Sequence, residues 1–262
     1  MKQLSKKLIN KSKKILFLGY SKKKTKLIKY IADLGHEVWW ENKKIKQIKN
    51  FDMVISFGYK HILCKNILRN KKCKFINLHL SYLPYNRGAH PNFWSFYDNT
   101  PSGVTIHEIN NKIDKGDIIF QKYVNFTNNE NTFKLTYNRL YSELESLFIF
   151  NSNKIINEKY KVIKQRGLGT FHNKNDLPES FRGWDSKILT EVKRLEKITT
   201  KKNNYKLSLI DKIEKVRTAN NVNWMDILRL LFKDSPNEAK KLIKKINLDD
   251  NRITNLFEEL SK

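Results

Sequence analysis

Short apolar runs alternate with helical periodicity through the first half of the chain. Ile15 to Tyr20 has the length and continuity of a buried strand. Thr25 to Leu34 places Leu27, Ile28, Ile31 and Ala32 on one helical face, and Gly35 ends the pattern. Glu37 to Glu41 and Asp52 to Phe57 read as further strands, the latter closing at Gly58. Lys60 to Leu68 is compatible with a helix, and Phe75 to Leu80 with a fourth strand. Strands alternating with helices predict an α/β fold with an open, mostly parallel sheet and helices on both faces. Ligands in such sheets sit at the carboxyl ends of the strands. A loop (Ser81 to Pro91), a short helix (Asn92 to Tyr97) and two strands (Gly103 to Ile109, Asp117 to Val124) follow. Thr132 then caps a long helix carrying Phe133, Tyr137, Leu140, Tyr141, Leu144, Leu147 and Phe148 on one face.

These patterns divide the chain into a principal domain (1–158), a small strand and loop segment (159–200) and a helical C-terminal appendage (201–262). Asn203 to Tyr205 is a candidate linker. Ser235-Pro-Asn-Glu238 has the form of a capping box, with Pro at the first helical position. Leu242, Ile243 and Ile246, then Ile253, Leu256, Phe257 and Leu260, recur at helical spacing.

Composition narrows the class. The chain has 262 residues, 39% of them hydrophobic. It lacks an apolar run of about eighteen residues, so no membrane span is expected. Its basic N-terminus leads into a strand rather than a signal-peptide core, which predicts a cytoplasmic protein. Two cysteines, Cys64 and Cys73, make neither a disulfide framework nor a metal quartet, and both are expected to be buried apolar residues. The formal net charge is +26, and residues 1–30 hold eleven Lys and no acid. Such a surface attracts polyanions. The Lys excess is nevertheless spread along the whole chain, so charge alone does not indicate a nucleic-acid partner. The first turn, Gly19-Tyr-Ser-Lys22, lacks the glycine spacing of a dinucleotide site.

Along the strand from Phe75 to Leu80, alternation puts Ile76, Leu78 and Leu80 on one face and Asn77 and His79 on the other. The chain continues Ser81-Tyr-Leu-Pro84 and Tyr85-Asn-Arg-Gly-Ala-His-Pro-Asn-Phe-Trp94. It then gives Gly103-Val-Thr-Ile-His-Glu-Ile109 and Ile113-Asp-Lys-Gly-Asp117. This order of blocks resembles the folate-dependent formyltransferase family, most strongly over residues 75–122. The resemblance implies a Rossmann-like formyltransferase fold and a catalytic triad of Asn77, His79 and Asp114. It also implies N10-formyltetrahydrofolate as cosubstrate, with no metal. The acceptor amine must attack a formyl carbonyl while neutral. Asn77 is expected to donate a hydrogen bond to the developing oxyanion, and either His79 or Asp114 to act as the formal base.

By the same resemblance the pterin lies against Phe57, Gly58, Tyr59, Lys60 and Ile62, while His61 packs or faces solvent. Asp117 either binds folate or closes its turn. The loop from Tyr85 to Trp94 is similar to that of the sugar-nucleotide branch, which implies a dTDP-linked amino-dideoxyhexose, best dTDP-4-amino-4,6-dideoxyglucose, for surface-glycan synthesis. Tyr85, Asn86, Arg87, His90 and Asn92 become candidate substrate residues, together with His172, Lys174 and Trp184 from the following segment; Trp94 reads as core. The C-terminal helices are expected to form a homodimer contact, pack on the catalytic domain or recruit another enzyme. The alternatives are a methionyl-tRNA formyltransferase, or an inactive formyltransferase-like protein that binds RNA.

Overall fold

The computed structural model describes residues 2–3, 12–231 and 236–261, with side chains excluded at 2–3, 219–243, 245 and 246. Ser235, and with it the expected capping box, lies outside the described residues, as do the side chains of Leu242, Ile243 and Ile246. The chain divides into two compact units, Met1–Val192 and Lys193–Lys262.

The first unit is built on a seven-stranded mixed sheet. Its strands are β1 (Lys2–Gln3), β2 (Lys14–Gly19), β3 (Glu37–Glu41), β4 (Met53–Phe57), β5 (Lys74–His79), and, after a two-residue strand β6 (Arg87–Gly88) that lies elsewhere, β7 (Gly103–Glu108) and β8 (Ile118–Tyr123). The order across the sheet is β1-β3-β2-β4-β5-β7-β8. The centre, β3-β2-β4-β5, is parallel, whereas β1, β7 and β8 pair antiparallel. The central strands read as near-continuous apolar runs because both of their faces are covered. One face meets a cluster that includes Ile15, Phe17, Ile55, Ile76 and Leu78, with Leu27 and Ile31 of α1 (Leu27–Asp33) and Leu140, Leu144 and Phe148 of α4 (Phe133–Ile156). The other face meets Leu16, Leu18, Val54 and Phe75 with Ile67 of the one-turn helix α2 (Lys65–Leu68). Thr132 caps α4 as expected, accepting from the Leu135 N–H at 3.2 Å.

Three expectations change. The helix anticipated over Lys60–Leu68 is confined to Lys65–Leu68; the residues before it form an irregular wall of the cleft described below. Asn203–Tyr205 is not a linker, since it lies inside α5 (Ile188–Leu231). Cys64 is exposed, against the expectation of burial, and Cys73 alone is buried. Cys64 immediately precedes α2 with extended backbone, and the core-facing positions of this stretch are taken by its neighbours Leu63 and Ile67.

Helix α3 (Pro91–Tyr97) follows β6, and the stretch after α4 holds β9 (Phe171–His172). β9 pairs in parallel with β6 as a separate two-stranded sheet. In the second unit, Ile213 and Val216 of α5 pack with Ile253, Leu256 and Leu260 of α6 (Pro236–Ser261). No helix among the described residues is long and apolar enough to cross a membrane.

Candidate active site

At the carboxyl end of β4 and β5, the chain leaves the sheet and opens a cleft of about 690 Å³. Its size falls in the usual range for small-molecule sites. The walls come from Phe57–Leu63 after β4, Asn77 and His79 on β5, Gly88–Pro91, Ile109–Asp114, and Phe171–Lys174. Asp114 approaches Asn77 and His79 across the sheet end. The reason is the hairpin that follows β5: β7 runs antiparallel beside it, with Asn77 in register with His107 and His79 with Thr105.

Local packing explains the motif around β7. Gly103 has no room for a Cβ, which would lie 2.5 Å from the Lys122 carbonyl oxygen. The fully buried Thr105 hydroxyl donates to the Ser81 carbonyl at 2.7 Å and accepts from the Leu83 N–H at 3.2 Å. It thereby pins the loop after β5 to the hairpin. Gln121 of β8 adds a donation to the Leu83 carbonyl at 2.7 Å.

The polar centre is tightly connected. Asn77 Nδ2 donates to Asp114 Oδ1 at 3.1 Å and pairs with His107 Nε2 at 3.2 Å. His107 Nδ1–H donates to the Glu108 carbonyl at 2.7 Å, so in the neutral ring Nε2 is the acceptor for Asn77. His79 Nε2–H donates to the Asn86 carbonyl at 3.1 Å, leaving Nδ1 with a lone pair 3.8 Å from Asp114 Oδ2. The Gly88 N–H donates to Asp114 Oδ2 at 2.9 Å. Burial works to raise the Asp114 carboxyl, but the positive charge that His79 carries when protonated, the contacts of His107 and the Gly88 N–H outweigh it. Together they hold Asp114 well below the usual carboxylate range.

Residues 19–150 match the family described as formyl transferase, which is half of the chain. The chain belongs to this family. It is similar to the solved formyltransferase PseJ from Anoxybacillus kamchatkensis, which is in complex with UDP-4,6-dideoxy-4-formamido-L-AltNAc and tetrahydrofolate. That match has 36% identity and a TM-score of 0.62, and covers 67% of this chain and 96% of that one. A methionyl-tRNA formyltransferase from Prochlorococcus marinus is 34% identical over 134 residues, 48% of this chain and 40% of that protein. A dTDP-4-amino-4,6-dideoxyglucose formyltransferase from Mycobacterium tuberculosis is 37% identical over 75 residues, 29% of this chain and 31% of that protein. The chain therefore spans less than half the length of either curated relative.

Within this family member, the residues singled out from the sequence separate into two groups. Phe57, Gly58, Tyr59, Lys60, Ile62, Asn77, His79, His90, Asp114, His172 and Lys174 line the cleft. His61 lines it as well, and is exposed. The second group is held elsewhere. Asn86 is fully buried; its amide donates to Thr100 Oγ1 at 2.8 Å and accepts from Thr170 Oγ1 at 3.0 Å. It is a keystone of its loop rather than a substrate ligand, and it serves the site through the carbonyl that fixes His79. Arg87 was expected to meet phosphate or sugar, but it is 6% exposed and its guanidinium turns inward to Gln165 and the Leu168 carbonyl. Asn92 is buried in α3 and donates to the Phe133 carbonyl at 2.8 Å. Tyr85 is half-buried, its carbonyl taken by Ser81. Asp117 is not among the residues that line the cleft, and its backbone carbonyl accepts from the Glu108 N–H at 2.9 Å. Trp184 lies beyond the wall, its ring 5.4 Å from that of His90. Trp94 is core, as expected, and His172 stacks flat on it at 3.8 Å while bonding Asp98 Oδ2 at 2.7 Å. His107 and Gln165 were not singled out by sequence reasoning. His107 stood inside a quoted motif, yet its role follows from strand register, which spacing does not reveal.

Proposed function

We propose that this formyl transferase moves a formyl group from N10-formyltetrahydrofolate to the amine of a nucleotide-linked 4-amino-4,6-dideoxyhexose. The observation that carries the reading is the connected set Asn77, His79, His107 and Asp114 at the base of the cleft. The fit to a reduced folate rests on the lining. Gly58 to Leu63 run outside helix and strand along one wall, so no regular ladder consumes their peptide groups and they can meet the edge of a flat heteroaromatic ring. The folate supplies the activated formyl carbon.

The protein's own groups then divide the work. His79 Nδ1, left basic by the bond from Nε2–H to Asn86, accepts a proton from the attacking amine and returns it to N10 as the bond from the formyl carbon to tetrahydrofolate breaks. Asp114 stays ionised and stabilises the imidazolium that forms. One Asn77 amide hydrogen stays on Asp114, and the other is directed at the neutral nitrogen of His107. An oxyanion that forms within reach of that second hydrogen replaces a neutral acceptor by a charged one, which favours the tetrahedral state. The amine at C4 is supported by the formamido position named in the PseJ complex and by the dTDP-4-amino-sugar relative. The base differs between those two proteins, so both nucleotides belong in the test. The reading places the enzyme in the cytoplasm, with its product destined for surface glycan.

The test is a mass-spectrometric turnover assay with N10-formyltetrahydrofolate and, in parallel, dTDP- and UDP-linked 4-amino sugars, a 3-amino isomer and charged initiator tRNA. Folate-dependent gain of one formyl group on a 4-amino sugar nucleotide is the expected result. Formylation of the tRNA alone would replace this reading by the methionyl-tRNA one.

A further inference from the structure

The structure assigns a positioning role to Gln165, a residue outside the triad on the stretch between α4 and β9. This inference rests on the formyl-transfer reading for its kinetic arm only. The Gln165 carboxamide is used at both ends. Its Nε2 donates to the carbonyl oxygens of Asp114 at 2.8 Å and Gly116 at 2.7 Å. Its Oε1 accepts from Arg87 Nε at 3.1 Å and Nη2 at 2.8 Å. One side chain thus ties the main chain of the Asp114 turn to the loop that carries Gly88.

Both tied segments need such a bracket. Asp114 sits at φ 47°, a left-handed backbone that non-glycine residues rarely hold without support. Gly116 lies so close to the sheet that a Cβ there would sit 1.6 Å from the Glu108 carbonyl oxygen, so the turn is packed directly against β7. On the other side, Arg87 is buried and precedes Gly88, whose N–H donates to Asp114 Oδ2. Gln165 therefore sets the position of both ends of the Gly88–Asp114 hydrogen bond. A side chain must donate twice and accept twice at this point. Glutamine can do so; ionised glutamate can accept from Arg87 but has no donor for the two carbonyls, and methionine fills the space with neither.

The experiment compares wild type, Gln165→Met and Gln165→Glu as full-length proteins. Steady-state formyl transfer is measured with kcat separated from KM, and the Asp114 carboxyl is titrated by carbon-13 NMR without substrate. Displacing a reacting group by about 1 Å costs on the order of 100-fold. Both variants are therefore expected to lose kcat by roughly 10–100-fold with KM values kept within about threefold. Both should also move the Asp114 carboxyl upward toward the ordinary carboxylate range. A kcat within about twofold of wild type with an unmoved Asp114 titration would overturn the role. So would a loss of activity that only follows a loss of folded protein by circular dichroism. If wild type itself transfers no formyl group, the functional reading fails while the Asp114 titration still decides whether Gln165 positions that carboxylate.

Discussion

At the residue scale, the cleft's chemistry depends on which atom of each side chain is left over. Asn77 and His79 were legible as a polar pair on one strand, and Asp114 joined them through the order of blocks that resembles the formyltransferase family. The bond network was not, because His107 reaches Asn77 only through the register of β5 and β7. Asp114→Asn keeps the shape but removes the charge facing His79, and Asn77→Ala removes the hydrogen offered to the oxyanion. Each is expected to lower kcat by roughly 100- to 1000-fold in a folded protein, read in the turnover assay. The cysteines give an independent check of the surface. Burial, with Asp52 and Glu158 nearby, pushes the Cys73 thiol up to about 12, while Cys64 is exposed. At pH 8, iodoacetamide should label Cys64 in the native protein and reach Cys73 only after denaturation, as seen by peptide mass mapping.

At the scale of elements, the strands and α4 followed their periodicity, and departures occurred where the chain serves the cleft. The Lys60–Leu68 pattern supports a helix on propensity, yet only its last turn forms. The earlier residues are drawn into the cleft wall instead, where tertiary context overrides propensity. Helix α1 starts without a side-chain cap at Lys26. Its start is served from α4, where the buried Glu145 accepts from Thr25 Oγ1 at 2.7 Å and the Lys26 N–H at 3.1 Å. Glu145→Ala leaves both donors without this acceptor and is expected to cost about 1–3 kcal/mol in urea unfolding, with Glu145→Gln milder because it keeps an acceptor. At β6, Gly88 holds φ 89° and a Cβ there would lie 2.2 Å from the His172 carbonyl oxygen. Gly88→Ala should therefore separate β6 from β9 and abolish turnover, with the displaced strand visible in a crystal structure.

At the scale of the whole molecule, charge and the central carboxylate set the response to pH. The net charge is +26, so compactness works against self-repulsion and acid conditions increase that load. Asp114 is depressed in the folded state, whereas an unfolded Asp titrates near about 3.9. Its contribution to stability is complete above that value and is lost as pH falls below it toward the folded one. The urea midpoint should decline more steeply below about pH 4 in wild type than in Asp114→Asn. Spacing along the chain determined the alternating strand and helix order and the apolar faces, because each depends on neighbours a few residues apart, while Asn77, His79 and Asp114 were picked out by the family resemblance of the ordered blocks that hold them. Only the tertiary structure decided that Asn86 and Arg87 turn inward. The same holds for His107 and Gln165 completing the polar centre and for Glu145 serving α1. These outcomes depend on which donors and acceptors remain unpaired once distant segments meet, and that is set by packing rather than by spacing along the chain.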